Sequence, residues 1–234
     1  MTFVELRQIV EARIGIKLTE SQEEHLAKFL ALLQEWNGYF NLTAITEEGQ
    51  IIEKHFLDSL LPAKYITLSQ KTLIDIGTGA GFPGLVLAIV FPNMDVTLLE
   101  SNNKKVRFLD TVVSTLELKN VQVICGRAES QPTLRERFDI VIARAVKPLN
   151  ILLELCIPFS KVGGCFIAMK SQGVDEEIVA AEKAMASLKC SIKERHIDYL
   201  PTDHDERVNL FIVKNDKTPI RYPRQYNQIS TKPL

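Results

Sequence analysis

The sequence predicts an α/β protein in which a helical extension (residues 1–70) precedes a domain (71–234) built on a mostly parallel, seven-stranded sheet that ends in an antiparallel hairpin. Three observations carry this. From residue 72 onward, short β-branched runs alternate with stretches of helical apolar spacing, the mark of stacked βαβ units. The last two runs are separated only by Pro201-Thr202-Asp203-His204-Asp205, too short for a crossover helix. Residues before 70 carry helix signals and no alternating strand pattern.

In chain order, Thr19 followed by Gln22 forms a capping box, and Leu26, Phe29, Leu30 and Leu33 continue it as one apolar stripe. A second helical stretch runs over 48–61, with Pro62 as its expected stop. Between them, residues 36–43 are rich in aromatic and amide side chains, either a surface for a flat ligand or a loop that plugs the core and closes its own turns. Strands are predicted at 72–76, 95–100, 121–125, 138–143 and 163–169, with a hairpin at 190–199 and 208–214. Covering helices fall on 85–90, on Val106, Leu109, Val113 and Leu116, on 149–155 and near 175–187.

Composition narrows the function classes. At 234 residues, 46% apolar and 24% charged, the chain can bury a core of its own and matches neither a disordered nor a fibrous protein. The apolar run Leu85 to Phe91 is far short of the roughly 20 residues of a membrane helix, and acidic residues interrupt the N-terminal apolar ones, so a cytoplasmic protein without a membrane partner is expected. Cys125, Cys156, Cys165 and Cys190 stand 31, 9 and 25 apart, which fits no metal or disulfide spacing. They read as reduced thiols, and no metal is expected. Net charge is −1, yet residues 207–234 hold 6 basic and 1 acidic residue, a basic end compatible with nucleic-acid contact or with plain solvation.

The sharpest motif is Asp75-Ile-Gly77-Thr-Gly79-Ala-Gly81-Phe82-Pro-Gly84, between the first strand and its helix. Glycines there let the chain turn sharply and let a ligand reach the main chain without a Cβ in the way. Glu100 follows Gly81 by nineteen residues, at the end of the second strand, where a carboxylate accepts hydrogen bonds from ribose hydroxyls. Residues 79–84 also spell the dinucleotide fingerprint. A nicotinamide dinucleotide needs a long second half-sheet, which the closing hairpin does not provide. S-adenosylmethionine (SAM) needs only one half, and Asp75 suits its positive charge.

The chain resembles the bacterial small-subunit ribosomal RNA guanine-N7 methyltransferases, the RsmG or GidB family. The likeness runs nearly end to end, through WNGYFNLTAI, HFLDSLL, DIGTGAGFPG, LLESNNKKVRFL, RAE at 127–129, FDIVIARAV, VGGCFIAMK and the closing YPRQYNQISTKPL. It implies a class I SAM-dependent methyltransferase fold, Rossmann-like, with SAM as cofactor. Its implied partner is 16S rRNA, with a guanine in the decoding-region loop as target. The cofactor site carries over onto Asp75, Gly77, Gly79, Gly81, Phe82, Glu100, Ala128, Glu129 and Arg144. Phe82 either walls the cofactor or plugs the core; Glu129 either accepts from an exocyclic amine or faces solvent. One departure is visible in the tail, where the family more often shows a basic, proline-rich run after YPR.

The residues constrain the reaction as well. Exocyclic-amine methylation typically uses Asn or Asp with Pro-Pro-aromatic after the fourth strand, and this chain has Ala143-Arg144-Ala145-Val146 there. Carbon methylation needs a cysteine nucleophile, and Cys156 and Cys165 fall inside a predicted helix and a central strand. Guanine N7 already carries an in-plane lone pair and loses no proton, so in-line displacement needs no general base. Arg144 is the candidate catalytic residue, a donor to guanine O6 or a phosphate. Lys104, Lys105, Arg107, Lys147, Lys170, Arg221 and Arg224 are candidates for phosphate contact. An NAD-dependent oxidoreductase and a silent ribosome-binding protein are the alternatives, and a monomer is expected.

Overall fold

The computed structural model describes residues 1–144 and 147–234. The described chain opens with α1 (Phe3–Ile9), continued by a wide turn over Val10–Ile14, and α2 (Glu20–Asn37). Both start with a reciprocal capping box, Thr2 with Glu5 and Thr19 with Gln22. α3 (Glu48–Ile51) passes through a wide turn (Ile52–Leu57), α4 (Asp58–Leu60) and a tight turn at Leu61–Lys64. Pro62 thus sits inside that last turn rather than ending the helix: its missing N–H falls where no partner is needed.

The strands are β1 (Thr72–Ile76), β2 (Asp95–Glu100), β3 (Val121–Cys125), β4 (Phe138–Arg144), β5 (Ser160–Lys170), β6 (Cys190–Tyr199) and β7 (Glu206–Lys214). They form one sheet in the order β3-β2-β1-β4-β5-β7-β6, parallel except for β7, which runs against both β5 and β6. β5 begins earlier than its predicted start at 163 because Ser160 pairs with Phe138 across an irregularity in the ladder. The helices α5 (Gly84–Val90), α6 (Asn103–Thr115) and α7 (Leu149–Cys156) cover the sheet. The helix expected near 175–187 divides into α8 (Val174–Ala180) and α9 (Glu182–Leu188). A short α10 (Tyr226–Thr231) near the C-terminus has no counterpart in the sequence prediction.

Alternation along the strands builds two cores. Leu73, Val96, Leu98, Ile140 and Ile142 face α5, α6 and the helices of residues 1–70, whereas Ile74, Leu99, Val141, Phe166 and Ile212 face α7, α9 and the C-terminal segment. The first core is continuous from Leu6 to Phe211. Its centre is aromatic: Phe29 lies 5.5 Å from Phe56 and 5.2 Å from Phe82, ring centre to ring centre. Gln22 ties the layers together, accepting from Thr19 N within its own cap and donating to Val90 O of α5 at 2.9 Å.

Residues 36–43 close their own turns. Asn37 Oδ1 accepts from the main chains of Leu42 and Thr43 while Nδ2 donates to Thr43 O, and Trp36 packs 5.7 Å from Phe108. Cys156, Cys165 and Cys190 are buried free thiols, and Cys125 is exposed. Among the described residues, no helix is long and apolar enough to cross a membrane.

Candidate active site

Parallel strands deliver their C-terminal ends to one edge of the sheet, and that edge carries Asp75, Glu100 and Arg144. The glycine loop leaves β1 there. Gly77 and Gly79 have φ of +72° and +63°, left-handed conformations that disfavour other residues. Nothing stands within 4 Å of where a Cβ at Gly77 would be, so the main chain is bare on that side. Gly77 N and Thr78 N donate to Leu99 O, stapling the loop to β2. A Cβ at Gly84 would overlap Leu98, so this glycine serves close packing instead.

Asp75 lies wholly buried beneath the loop. Its Oδ2 accepts from Thr78 Oγ1 (2.7 Å) and Gly84 N (2.8 Å), and its Oδ1 has no hydrogen-bond partner among the described residues. Burial pushes its carboxyl up to about 6, although these two bonds oppose the rise. Glu100 accepts from Gly79 N (3.0 Å) and from Asn102 N (2.8 Å), each through one oxygen, which leaves further lone pairs on both.

A cavity of about 340 Å³ opens beside this loop, lined by Gly77, Leu99, Ala128, Glu129, Leu155 and Tyr226 among others. Bare backbone, a carboxylate at the end of β2 and an apolar floor fit SAM: main-chain groups would meet its amino-acid part, Glu100 its ribose, and Ala128 and Glu129 would stand beside its base. Gly81 packs on Leu85. Phe82 belongs to the aromatic core, with its ring 4.5 Å from the His55 ring and 5.1 Å from the Arg144 guanidinium carbon.

A second cavity, of about 550 Å³, lies where β4 and β5 end, lined by Lys54, His55, Asp58, Arg144, Lys170 and Arg207 among others. Arg144 donates through Nη1 to Lys54 O (3.1 Å) and Asp58 Oδ2 (3.3 Å), and through Nη2 to His55 Nδ1 (3.1 Å). Two of its five N–H groups have no protein partner among the described residues. Asp58 also meets Arg207, Oδ1 to Nε at 3.2 Å. Burial pushes the Asp58 carboxyl above its ordinary range, against the pull of both guanidiniums. His55 is pushed down to about 3 by burial first and by Arg144 second, which keeps the ring neutral. With Nδ1 accepting from Arg144, Nε2–H is left to donate to Thr43 Oγ1 at 2.8 Å.

Lys170 connects the two cavities: it lines the second, pairs with Glu177 (2.7 Å) and donates to the main chain of Lys147, which lines the first. Of the other phosphate candidates, Lys104, Arg107, Lys147 and Arg221 are exposed, and Lys105 sits near Gly79. Arg224 is turned inward, its Nε and Nη2 on the two oxygens of the fully buried Glu154 at 2.7 and 2.5 Å. Arg207 and Lys214 also have internal carboxylate partners, so half of the basic residues beyond 206 are neutralised within the molecule.

His55, Asp58 and Arg207 are absent from the sequence-derived site, and the latter part of the reaction motif, Ala145-Val146, lies outside the described residues. The histidine reads as an isolated structural one. A signal was available in Asp58, a charge between Phe56, Leu57, Leu60 and Leu61 on a helix otherwise buried as hydrocarbon.

This strand order, with a bare glycine loop after β1 and a carboxylate closing β2, defines a class I SAM-dependent methyltransferase. The sheet ends in the β6–β7 hairpin instead of a second nucleotide-binding half, which removes the dinucleotide alternative. Solved structures share the fold at low identity. TYW2 of M. jannaschii in complex with AdoMet superposes with a TM-score of 0.58 at 16% identity, over 73% of this chain and 79% of that one. A mutant of the 16S rRNA (adenine(1408)-N(1))-methyltransferase from Catenulisporales acidiphilia gives 0.53 at 16%, over 65% and 88%. The family is fixed by sequence: residues 22–203 match the model of GidB, rRNA small subunit methyltransferase G, and the chain belongs to that family. Relatives carrying the name Ribosomal RNA small subunit methyltransferase G include those of Caldanaerobacter subterraneus subsp. tengcongensis, 48% identical over 94% of both chains, and Brevibacillus brevis, 42% identical over 100% of both.

Proposed function

We propose that this SAM-dependent rRNA methyltransferase acts on N7 of a guanine in the decoding-region loop of 16S rRNA, by in-line displacement without a general base. The observation that carries the reading is the state of the acceptors in the second cavity. Asp58 is taken by Arg144 and Arg207, His55 Nδ1 by Arg144, and Glu177 by Lys170 and Leu149 N. Such a cavity offers cations and no spare base, which suits a ring nitrogen that has no proton to lose.

SAM supplies a methyl group made electrophilic by its sulfonium sulfur. The chain's own residues position the partners: the loop from Gly77 to Gly81 and Glu100 hold the cofactor, and Arg144, locked by three acceptors, directs its remaining N–H groups at O6 or a neighbouring phosphate while N7 stays free to attack. Exposed Lys104, Arg107, Lys147 and Arg221, with the half-buried Lys105, are the phosphate contacts in this reading, which also takes the enzyme as a cytoplasmic monomer, with residues 1–70 as a helical extension of the methyltransferase domain.

The test is transfer from labelled SAM to small subunits, free rRNA and large subunits purified from cells lacking this gene, followed by mapping of the labelled base. Label confined to one guanine N7 of the small-subunit RNA is expected. Label on another base or atom overturns the reading.

A further inference from the structure

The C-terminal segment lies beyond the residues 22–203 matched by the family model. In the structure it is firmly held. Arg224 makes its two-pronged bond to Glu154 of α7 and donates its main-chain N–H to the same carboxylate at 3.0 Å. Arg135 donates to Tyr222 O and, at 3.2 Å, to Thr218 O, while Ile229 is fully buried. These anchors deliver Tyr226, the first residue of α10, to the cofactor cavity, where it is the only aromatic side chain among the described lining residues. Two cations fix the ring: the Arg127 guanidinium carbon lies 5.6 Å and the Lys147 ammonium 5.7 Å from its centre.

We propose that Tyr226 is a nucleoside-stacking residue of the cofactor site, and that the C-terminal segment, clamped by Arg224 on Glu154, completes the adenine end of that site. The cavity needs such a group. Its other walls combine aliphatic side chains and main chain (Leu99, Leu155, Gly77) with polar groups (Ser101, Arg127, Glu129, Lys147), none of which offers a purine an aromatic face. An aromatic ring adds an attraction sufficient for about a tenfold change in affinity. This inference rests on SAM being the cofactor, and the test separates the two.

Binding of S-adenosylhomocysteine to the full-length protein is measured by titration calorimetry, with melting temperature and affinity for small-subunit rRNA measured in parallel. Tyr226→Ala is expected to weaken binding about tenfold, with Tyr226→Phe within about twofold of wild type and rRNA affinity unchanged. Should the alanine variant melt early, Tyr226→Leu keeps the bulk without the aromatic face and is expected to lose as much. Equal affinity in wild type and Tyr226→Ala overturns the proposal, as does equal loss in Ala and Phe, which would make the hydroxyl the contact. A loss confined to rRNA affinity overturns it too. Failure of the wild-type protein to bind the ligand overturns the cofactor assignment itself.

Discussion

The two cavities at the C-terminal edge of the sheet are built in opposite ways. The glycine-loop cavity owes its bare wall to main chain: Gly77, with nothing where a Cβ would stand, and two amides stapled to β2. The Arg144 cavity is shaped by side chains, two guanidiniums from distant segments meeting on one buried carboxylate. Backbone geometry is specified locally by residue type, whereas a charge cluster depends on the whole fold to assemble it. The first should therefore tolerate distant changes and fail at single glycines. The second should fail as a unit.

Asp58→Ala tests this most severely. It leaves two guanidiniums facing each other without their carboxylate, and about 3–5 kcal/mol of stability should go, read as a melting temperature lower by about 10 °C. A drop of only a degree or two would mean that the cluster is not a unit. Arg144→Lys keeps the charge and loses the planar fork, so transfer should fall about 100-fold, roughly 2.7 kcal/mol, with S-adenosylhomocysteine affinity unchanged. Parallel loss of both would place Arg144 in the cofactor site and erase the division between the cavities. Gly77→Ala acts in reverse: it should cost about 1–2 kcal/mol for the left-handed backbone and weaken the same ligand at least about tenfold by covering the bare main chain.

The smallest effect is on pH dependence. His55 titrates near 3 in the folded protein against 6.5 when free, so its contribution to stability is complete above 6.5 and is lost as pH falls toward 3. Asp75, raised to about 6, works the other way, favouring the folded state as pH drops through 6 toward 4. His55→Gln keeps a polar group and removes the first dependence alone. Relative to wild type, the variant should gain stability by up to about 1.4 kcal/mol per pH unit as pH falls from 6.5 to 4. Identical slopes would show that the imidazole titrates alike in the folded and unfolded states.

The same contrast explains what the sequence made legible. The seven strands and their hairpin were readable because alternation and breakers are local. So was the glycine loop with Glu100, two points joined by a fixed βαβ length. His55, Asp58 and Arg207 were not, since residues 55, 58 and 207 become neighbours only when β7 inserts between β5 and β6. The turned-in Arg224 escaped for a related reason: a basic tail reads as solvated charge until Glu154, buried in α7, is seen to claim it. Thr2 and Glu5 carried the same capping signal as Thr19 and Gln22, but over a helix too short to show an apolar stripe.

The aromatic core has an optical consequence. Trp36 is the only tryptophan in the chain, and its ring touches Phe108 (5.7 Å), which reaches Phe29 (6.3 Å), then Phe82 (5.2 Å), and through it His55 and Arg144. A shift of Phe82 in the glycine loop would press on that file of rings as far as the indole. Emission from this single tryptophan, excited selectively over the five tyrosines, is therefore expected to change when a ligand displaces Phe82, which would let binding be followed on the unlabelled protein.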